Sequence, residues 1–184
     1  MIEIISTKIP EVKKIIRKWF EDERGFFWEP YNEKAFREAG FPQIFVQDNH
    51  SLSLKKGTVR GLHYQILPEA QDKLLWVLKG SIFDVAVDIR KNSPTFGKHV
   101  SLTLRANRPE QIFIPAGFAQ GFCTLESDTH VYYKVTRSYS PSHERGIVWN
   151  DKELGVSWPC SEKEAFLSER DLRWPSLAKV RDLF

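Results

Sequence analysis

The stretch "TVRGLHYQI", residues 58–66, sets His63 inside a run that alternates like a buried strand. Strand periodicity puts Val59, Gly61, His63 and Gln65 on one face and Arg60, Leu62, Tyr64 and Ile66 on the other. Taken alone, a strand histidine is more often a core residue bonded to a backbone carbonyl than a catalyst. Other polar groups argue against that plain reading. Tyr133 shares its face with Val131 and Val135, so it points inward; Lys73 opens "KLLWVLKG"; Asp84 and Asp88 occupy the less apolar face of "SIFDVAVDIR". Brought together, these groups would form an acid–base pocket with a histidine base, a phenol acid and a cation. Each also has a structural reading: a tyrosine satisfied locally, a lysine that snorkels, an Asp88 that anchors a turn.

The elements that must position these groups are strands. Phe83, Val85, Val87 and Ile89 oppose Ile82, Asp84, Ala86 and Asp88, and Val100, Leu102 and Leu104 oppose Ser101 and Thr103. "QIFIP" and "HVYYKVT" continue the alternation, with the turn-rich stretches "KNSPTFG", "RANRPE", "PAGFAQG" and "SYSPSHERG" between them. Short alternating strands at this spacing predict an all-β fold, an antiparallel jelly-roll sandwich or barrel whose interior admits one small ligand. Helix is sparse. "NEKAFREAG" predicts a short helix with Asn32 as N-cap and Gly40 at its end, and "SLAKVRDLF" a second with Ser176 as N-cap. "EVKKIIRKWF" fits either a helix or a strand.

Composition bounds the function. At 184 residues, with no repeat, low-complexity tract or linker, residues 1–184 read as one domain that buries roughly 70% of its unfolded surface. A net charge of +3 is too weak to argue for a nucleic-acid partner. No apolar run is long enough for a signal peptide or a membrane span, and two cysteines, Cys123 and Cys160, suit a reduced interior; the expected location is the cytoplasm.

The predicted architecture resembles the metal-binding cupins, which draw ligands from His-x-His and Pro-x-Gly-x-x-His. Here Gln65 stands in the first motif and Gln120 in the second, and a neutral amide is a poor ligand for zinc or iron. One surviving histidine cannot hold a metal alone, so no metal is expected.

At higher resolution the chain resembles the dTDP-4-dehydrorhamnose 3,5-epimerases of deoxysugar nucleotide biosynthesis. The similarity runs through "EDERGFFWEPYN", "FVQDNHS", "GTVRGLHYQ", "GSIFDVAVDIRKNSPTFGKHVSLTL", "IPAGFAQGFCTL", "YYKVT", "GIVWND" and "LSERD". The resemblance implies a cupin-type jelly roll, a homodimer, no cofactor, and a nucleotide-linked 4-keto-6-deoxyhexose substrate inverted at carbons 3 and 5. It implies His63 as base, Asp171 as the carboxylate that fixes its tautomer, Tyr133 as acid and Lys73 as enolate stabiliser. Arg24, Gln47, Asn49 and Arg60 match substrate-contacting positions, as do Glu29, Asp48, Glu144 and Arg170; Tyr139 matches an aromatic that stacks on the base. The guanidinium fork suits a diphosphate. His50, His99, His130 and His143 match no catalytic position and read as structural or surface residues.

One position departs from the family. Most of its members carry "GFAHGF", with a histidine that contacts the substrate, where this chain has Gln120, which can donate and accept hydrogen bonds but cannot act as an acid or base. This keeps a carbon-3-only epimerase beside the 3,5-epimerase, with a sugar-nucleotide ketoisomerase further off. From another class, a non-catalytic sugar-nucleotide-binding jelly roll would have lost His63, Tyr133 or Asp171, and all three are present.

Overall fold

The computed structural model describes residues 2–184. In chain order the elements are β1 (Ile2–Ser6), β2 (Lys13–Arg17), β3 (Phe20–Asp22), β4 (Gly25–Phe27), α1 (Glu33–Glu38), β5 (Gln47–Ser53), β6 (Val59–Gln65) and β7 (Lys73–Lys79). They continue with β8 (Ser81–Asp88), β9 (His99–Arg105), β10 (Glu110–Ile114), β11 (Phe118–Thr124), β12 (Thr129–Val135) and β13 (Glu144–Gly146). A six-stranded sheet, β1-β2-β10-β7-β12-β5, faces a five-stranded sheet, β13-β6-β11-β8-β9; β3 and β4 form a separate hairpin. This is the cupin-type jelly roll expected from the strand pattern.

Alternation explains why these strands pair as two layers. Leu75, Val77, Ile112, Ile114 and Val131 of the six-stranded sheet meet Ile82, Ala86, Leu104, Phe118 and Phe122 of the five-stranded sheet in one core. Each of these aliphatic and aromatic side chains larger than alanine contributes roughly 1.5–3 kcal/mol on burial. The opposite residues of the five-stranded sheet, Leu62, Tyr64, Val85, Val87 and Ala119, pack under the C-terminal segment. Leu74, Trp76 and Phe113 on the outside of the six-stranded sheet pack with Phe36 of α1. The central strands β6, β8, β10 and β11 are therefore buried on both faces, and the polar residues that face the interior stand out.

Asn32 caps α1 as expected, its side-chain oxygen accepting from the Ala35 amide at 3.0 Å. The ambiguous "EVKKIIRKWF" resolves as β2, because pairing with both β1 and β10 buries Ile15. The expected C-terminal helix is corrected to one 3-10 turn, Leu177–Lys179. Ser176 makes no side-chain cap; Asp151 instead accepts from the Leu177 amide at 2.6 Å. The tail then runs extended, with Val180, Leu183 and Phe184 covering the five-stranded sheet. Apolar cover for that sheet outweighs local helix propensity.

The facing in β6 is also corrected. His63 pairs with Gln120, yet Arg60 pairs with Phe122, so Gly61 and Leu62 together oppose Gly121 in a bulge. The bulge reverses the alternation: Arg60 and His63 share the inner face, and Val59 turns outward to pack with Cys123 and Trp149. Glycine is required here, since Gly61 has φ +133° and an added Cβ would lie 2.5 Å from the Gly121 Cα.

Candidate active site

A cavity of about 730 Å³ opens between the two sheets. His63, Lys73, Tyr133 and Gln120 all line it, as do Gln47, Asn49, Arg60, Tyr139, Glu144, Arg170 and Asp171. His63 stands on the five-stranded sheet through β6, and Tyr133 on the six-stranded sheet through β12, so the two occupy opposite walls.

His63 is held from outside its own sheet. Its Nε2 lies 2.5 Å from Asp171 Oδ1, and Asp171 comes from a 3-10 turn, Asp171–Arg173, in the C-terminal segment. The Trp174 indole donates to the same carboxylate oxygen at 3.2 Å and packs edge-on against the imidazole. The Asp171 amide donates to Ser168 Oγ at 3.1 Å. Burial alone would raise the Asp171 carboxyl, but the bonds from His63, Trp174 and Ser168 outweigh it and hold its pKa below the usual value. An ionised carboxylate against Nε2 keeps that nitrogen protonated and leaves Nδ1 as the basic atom.

Lys73 opens β7 and reaches across the cavity. The residue as a whole is part-exposed, but its ammonium lies among protein atoms, donating to Gln120 Oε1 at 3.2 Å and to the His63 carbonyl at 3.4 Å. Desolvation lowers its pKa to about 8, with Asp84 and Glu144 partly offsetting the loss. Gln120 Nε2 donates to Asp84 Oδ2 at 2.7 Å, while Asp84 Oδ1 is buried without a partner. Burial raises the Asp84 pKa to about 7, against the pull of Gln120 and Lys73. Tyr133 is likewise raised by burial, and Arg60 opposes that shift.

A second cluster forms the outer part of the cavity. Glu144 accepts from the Tyr139 hydroxyl at 2.8 Å and from Arg170 at 2.6 Å. Gln47 Oε1 accepts from the Tyr139 amide at 2.8 Å, and Gln47 Nε2 donates to Asn49 at 2.8 Å. Arg60 is braced by Ser53 Oγ and the Leu52 carbonyl.

Three expected contacts lie outside the cavity. Arg24 is exposed on the β3–β4 hairpin and pairs with Asp22 at 2.5 Å; Glu29 pairs with Arg17 at 2.8 Å. Asp48 pairs with Lys134 on the outer face of β5, because alternation that turns Gln47 and Asn49 inward turns Asp48 outward. Asp88 also leaves the pocket: at the end of β8 it accepts from Arg90, Ser93 and Thr95 and anchors the following turn. His50 and His130 pair with each other at 2.9 Å, His99 bonds the Leu154 carbonyl, and His143 bonds Ser140.

Some residues that shape the site were not assigned to it from sequence. Asp84 drew notice only as a polar residue on the less apolar face of its strand, with no role of its own. Gln65 donates to the Glu69 and Ser138 carbonyls and accepts from the Ser140 amide, which secures the loop carrying Tyr139. Trp174 is the third, and its spacing from Asp171 is the one signal that could have found it. Both amides at the cupin ligand positions are thus committed to protein partners. Among the described residues no group of three or more His, Cys, Asp or Glu is placed to hold a metal ion.

Comparison with known proteins places this geometry in context. The family model described as dTDP-4-dehydrorhamnose 3,5-epimerase matches residues 6–179. A dTDP-4-dehydrorhamnose 3,5-epimerase of Shigella flexneri is 50% identical over 172 residues, 93% of each chain. The crystal structure of a dTDP-6-deoxy-D-glucose-3,5-epimerase from Legionella pneumophila, in complex with dTDP-4-keto-L-rhamnose, superposes with a TM-score of 0.93 at 43% identity. That match covers 98% of this chain and 95% of the other. A more distant relative, a 3'-monoepimerase from Streptomyces bikiniensis in complex with dTDP-quinovose, gives a TM-score of 0.87 at 31% identity, covering 94% of this chain and 87% of the other.

Proposed function

The chain belongs to the dTDP-4-dehydrorhamnose 3,5-epimerase family, and from that premise we propose how its own residues perform the isomerisation. It is an epimerase that converts dTDP-4-dehydro-6-deoxy-D-glucose to dTDP-4-dehydro-L-rhamnose. Carbons 3 and 5 flank the C4 ketone, so the electron pair left by a departing proton delocalises onto the ketone oxygen as an enolate. Inversion needs a base on one face of the sugar and an acid on the other.

The observation that carries the assignment is the placement of His63 and Tyr133 on opposite walls of one cavity. His63 takes the proton from carbon, and Asp171 balances the imidazolium that results. Such a base contributes roughly 10²–10⁴-fold. Lys73 meets the negative charge developing on the enolate oxygen. Tyr133 returns a proton to carbon from the far side; its raised pKa keeps the phenol protonated at neutral pH. Each half-reaction breaks one C–H bond and forms another, so no redox partner is consumed. Arg60 and Arg170 serve the diphosphate, and Tyr139, set by Gln47 and Glu144, stacks on the base. No metal or other cofactor enters this scheme.

We further assign a homodimer of one-domain chains, 1–184. Phe20, Phe26 and Phe27 of the β3–β4 hairpin are 60%, 56% and 69% exposed, an apolar patch that a second chain would cover. Arg24 lies on that hairpin and Glu29 just beyond it, so a partner's hairpin is the way for these two to meet a substrate. The cytoplasm is the assigned location; no helix among the described residues is long and apolar enough to cross a membrane.

A second reading rests on Gln120. Its amide joins Lys73 to Asp84 but cannot carry a proton, and a 3'-monoepimerase shares the fold. NMR of dTDP-4-keto-6-deoxyglucose turning over in D₂O tests both readings. Deuterium at carbons 3 and 5, unchanged by chelator, is the expected result; deuterium at carbon 3 alone would replace it with the monoepimerase. A total lack of exchange would overturn both.

A further inference from the structure

The chain's two cysteines are 37 residues apart in sequence, yet their sulfurs lie 3.5 Å from each other. Cys123 sits on the outward face of β11, fully buried beside Val59 and Trp149; Cys160 is part-exposed in the loop after Trp158. We propose that Cys123 and Cys160 form a reversible redox pair that hydrogen peroxide closes into a disulfide.

The geometry asks for little movement. A disulfide has sulfurs about 2 Å apart, so closure needs an approach of about 1.5 Å from the observed separation. The surroundings assign the order of events. Cys160 is the thiol that solvent reaches, and Cys123 is sealed behind it. The Cys160 sulfur attacks one peroxide oxygen, the O–O bond breaks, and one water leaves with a sulfenic acid formed. The Cys123 sulfur then attacks that sulfenic sulfur; the S–S bond forms, the S–O bond breaks, and a second water leaves. Each thiol proton ends in one of the two waters, the peroxide is reduced, and a dithiol reductant reverses the change.

The bond would act on the catalytic wall. Cys123 follows Gln120 by three residues on β11, and Cys160 opens the segment that lays Phe166 alongside Thr58 and ends at Asp171. That segment touches the barrel through main-chain bonds between Phe166 and both Gly57 and Val59, and through the Asp171–His63 contact. A covalent staple at Cys160 would hold it against the wall when oxidant is present.

The test uses the full chain treated with stoichiometric hydrogen peroxide. Intact mass should show loss of two hydrogens, thiol titration should find neither cysteine, and peptide mapping should join Cys123 to Cys160. Dithiothreitol should restore the starting mass. The oxidised form should melt roughly 5–10 °C higher. Cys160→Ser and, separately, Cys123→Ala should show neither the cross-link nor the shift. A bridge between two chains, or Cys160 driven to sulfinic acid with Cys123 still free, or two thiols that stay titratable, would each overturn the proposal.

Discussion

Gly146 lies opposite His63 in the β13–β6 ladder, and the space its missing side chain leaves is taken by the Trp174 indole. A Cβ on Gly146 would stand 2.4 Å from that ring. The glycine is not needed for an unusual backbone; it is needed for room. Trp174 in turn bonds the Asp171 oxygen that faces His63, so a vacancy in one strand orients a dyad built by two distant segments. Gly146→Ala should displace Trp174 and then Asp171. Turnover should fall about 10²-fold, the scale of a 1 Å misplacement of a catalytic group. Unchanged kcat together with unchanged tryptophan fluorescence would refute the packing argument.

Removing the dyad's base is the more severe test. His63→Ala should lower kcat by roughly 10²–10⁴-fold or more, while nucleotide affinity stays within a few-fold, because the Tyr139, Glu144 and Arg170 cluster is untouched. Tyr133→Phe should separate exchange from inversion, with deuterium still entering at carbon 3 while net epimerisation at carbon 5 stops. Isothermal titration with dTDP and an NMR time course in D₂O read these outcomes. A His63→Ala protein with near-normal rates would remove the base assignment.

Asp84 makes stability depend on pH in an unusual direction. Its folded pKa, pushed up to about 7 by burial, lies above its unfolded value. Between about pH 4 and pH 7 the folded chain keeps a proton that the unfolded chain has released, so this residue's contribution to stability declines as pH rises through that window. Asp84→Asn keeps an acceptor for Gln120 and should flatten the decline, as urea midpoints across the range would reveal. Lys73, lowered to about 8 by desolvation, loses its charge as pH rises past that value. Turnover should therefore fall on the alkaline side with an apparent pKa near 8, and a rate that held level to pH 10 would speak against Lys73 as the charge that meets the enolate.

Gln65 stands on the same strand as His63 but acts on a different part of the substrate. Its bonds to Ser138 and Ser140 join those of Gln47 and Glu144 in fixing the loop that carries Tyr139, and a third, to the Glu69 carbonyl, ties it to the loop after β6. Gln65→Ala should raise KM by about tenfold, since the two lost bonds to that loop contribute about 0.5–1 kcal/mol each. The chemistry itself should be little changed, so kcat should hold within about threefold. A drop in kcat with KM constant would place Gln65 in the reacting centre instead.

Much of this was legible in the sequence. The two-residue period of "KLLWVLKG", "SIFDVAVDIR" and "HVYYKVT" decides which side chains face inward, since a pleat is a local property of the chain. That is enough to name an all-β jelly roll, to turn Tyr133 inward and to mark Lys73 and Asp84 as polar groups that a plain core would not choose. The helix at residues 33–38 was equally readable, from its Asn32 cap.

What local periodicity cannot carry is a change of phase or a contact between distant segments. Counting by twos put Val59 with His63; the bulge at Gly61 and Leu62, imposed by the close approach of Gly121, exchanged Val59 for Arg60. The same holds for the C-terminus, where a helical pattern gave way to an extended tail because the five-stranded sheet needed apolar cover. Asp171 meets His63 across 108 residues of sequence, and no spacing rule spans that gap; family resemblance named the pair, and packing built it. The sequence alone determined the fold class and the kinds of groups in the pocket, because strand period and residue chemistry are local. Tertiary structure decided which wall each group occupies, that Arg60 and Arg170 face the cavity, and that Arg24, Glu29 and Asp48 stand outside it, because register, bulges and segment docking are settled by burial over the whole chain.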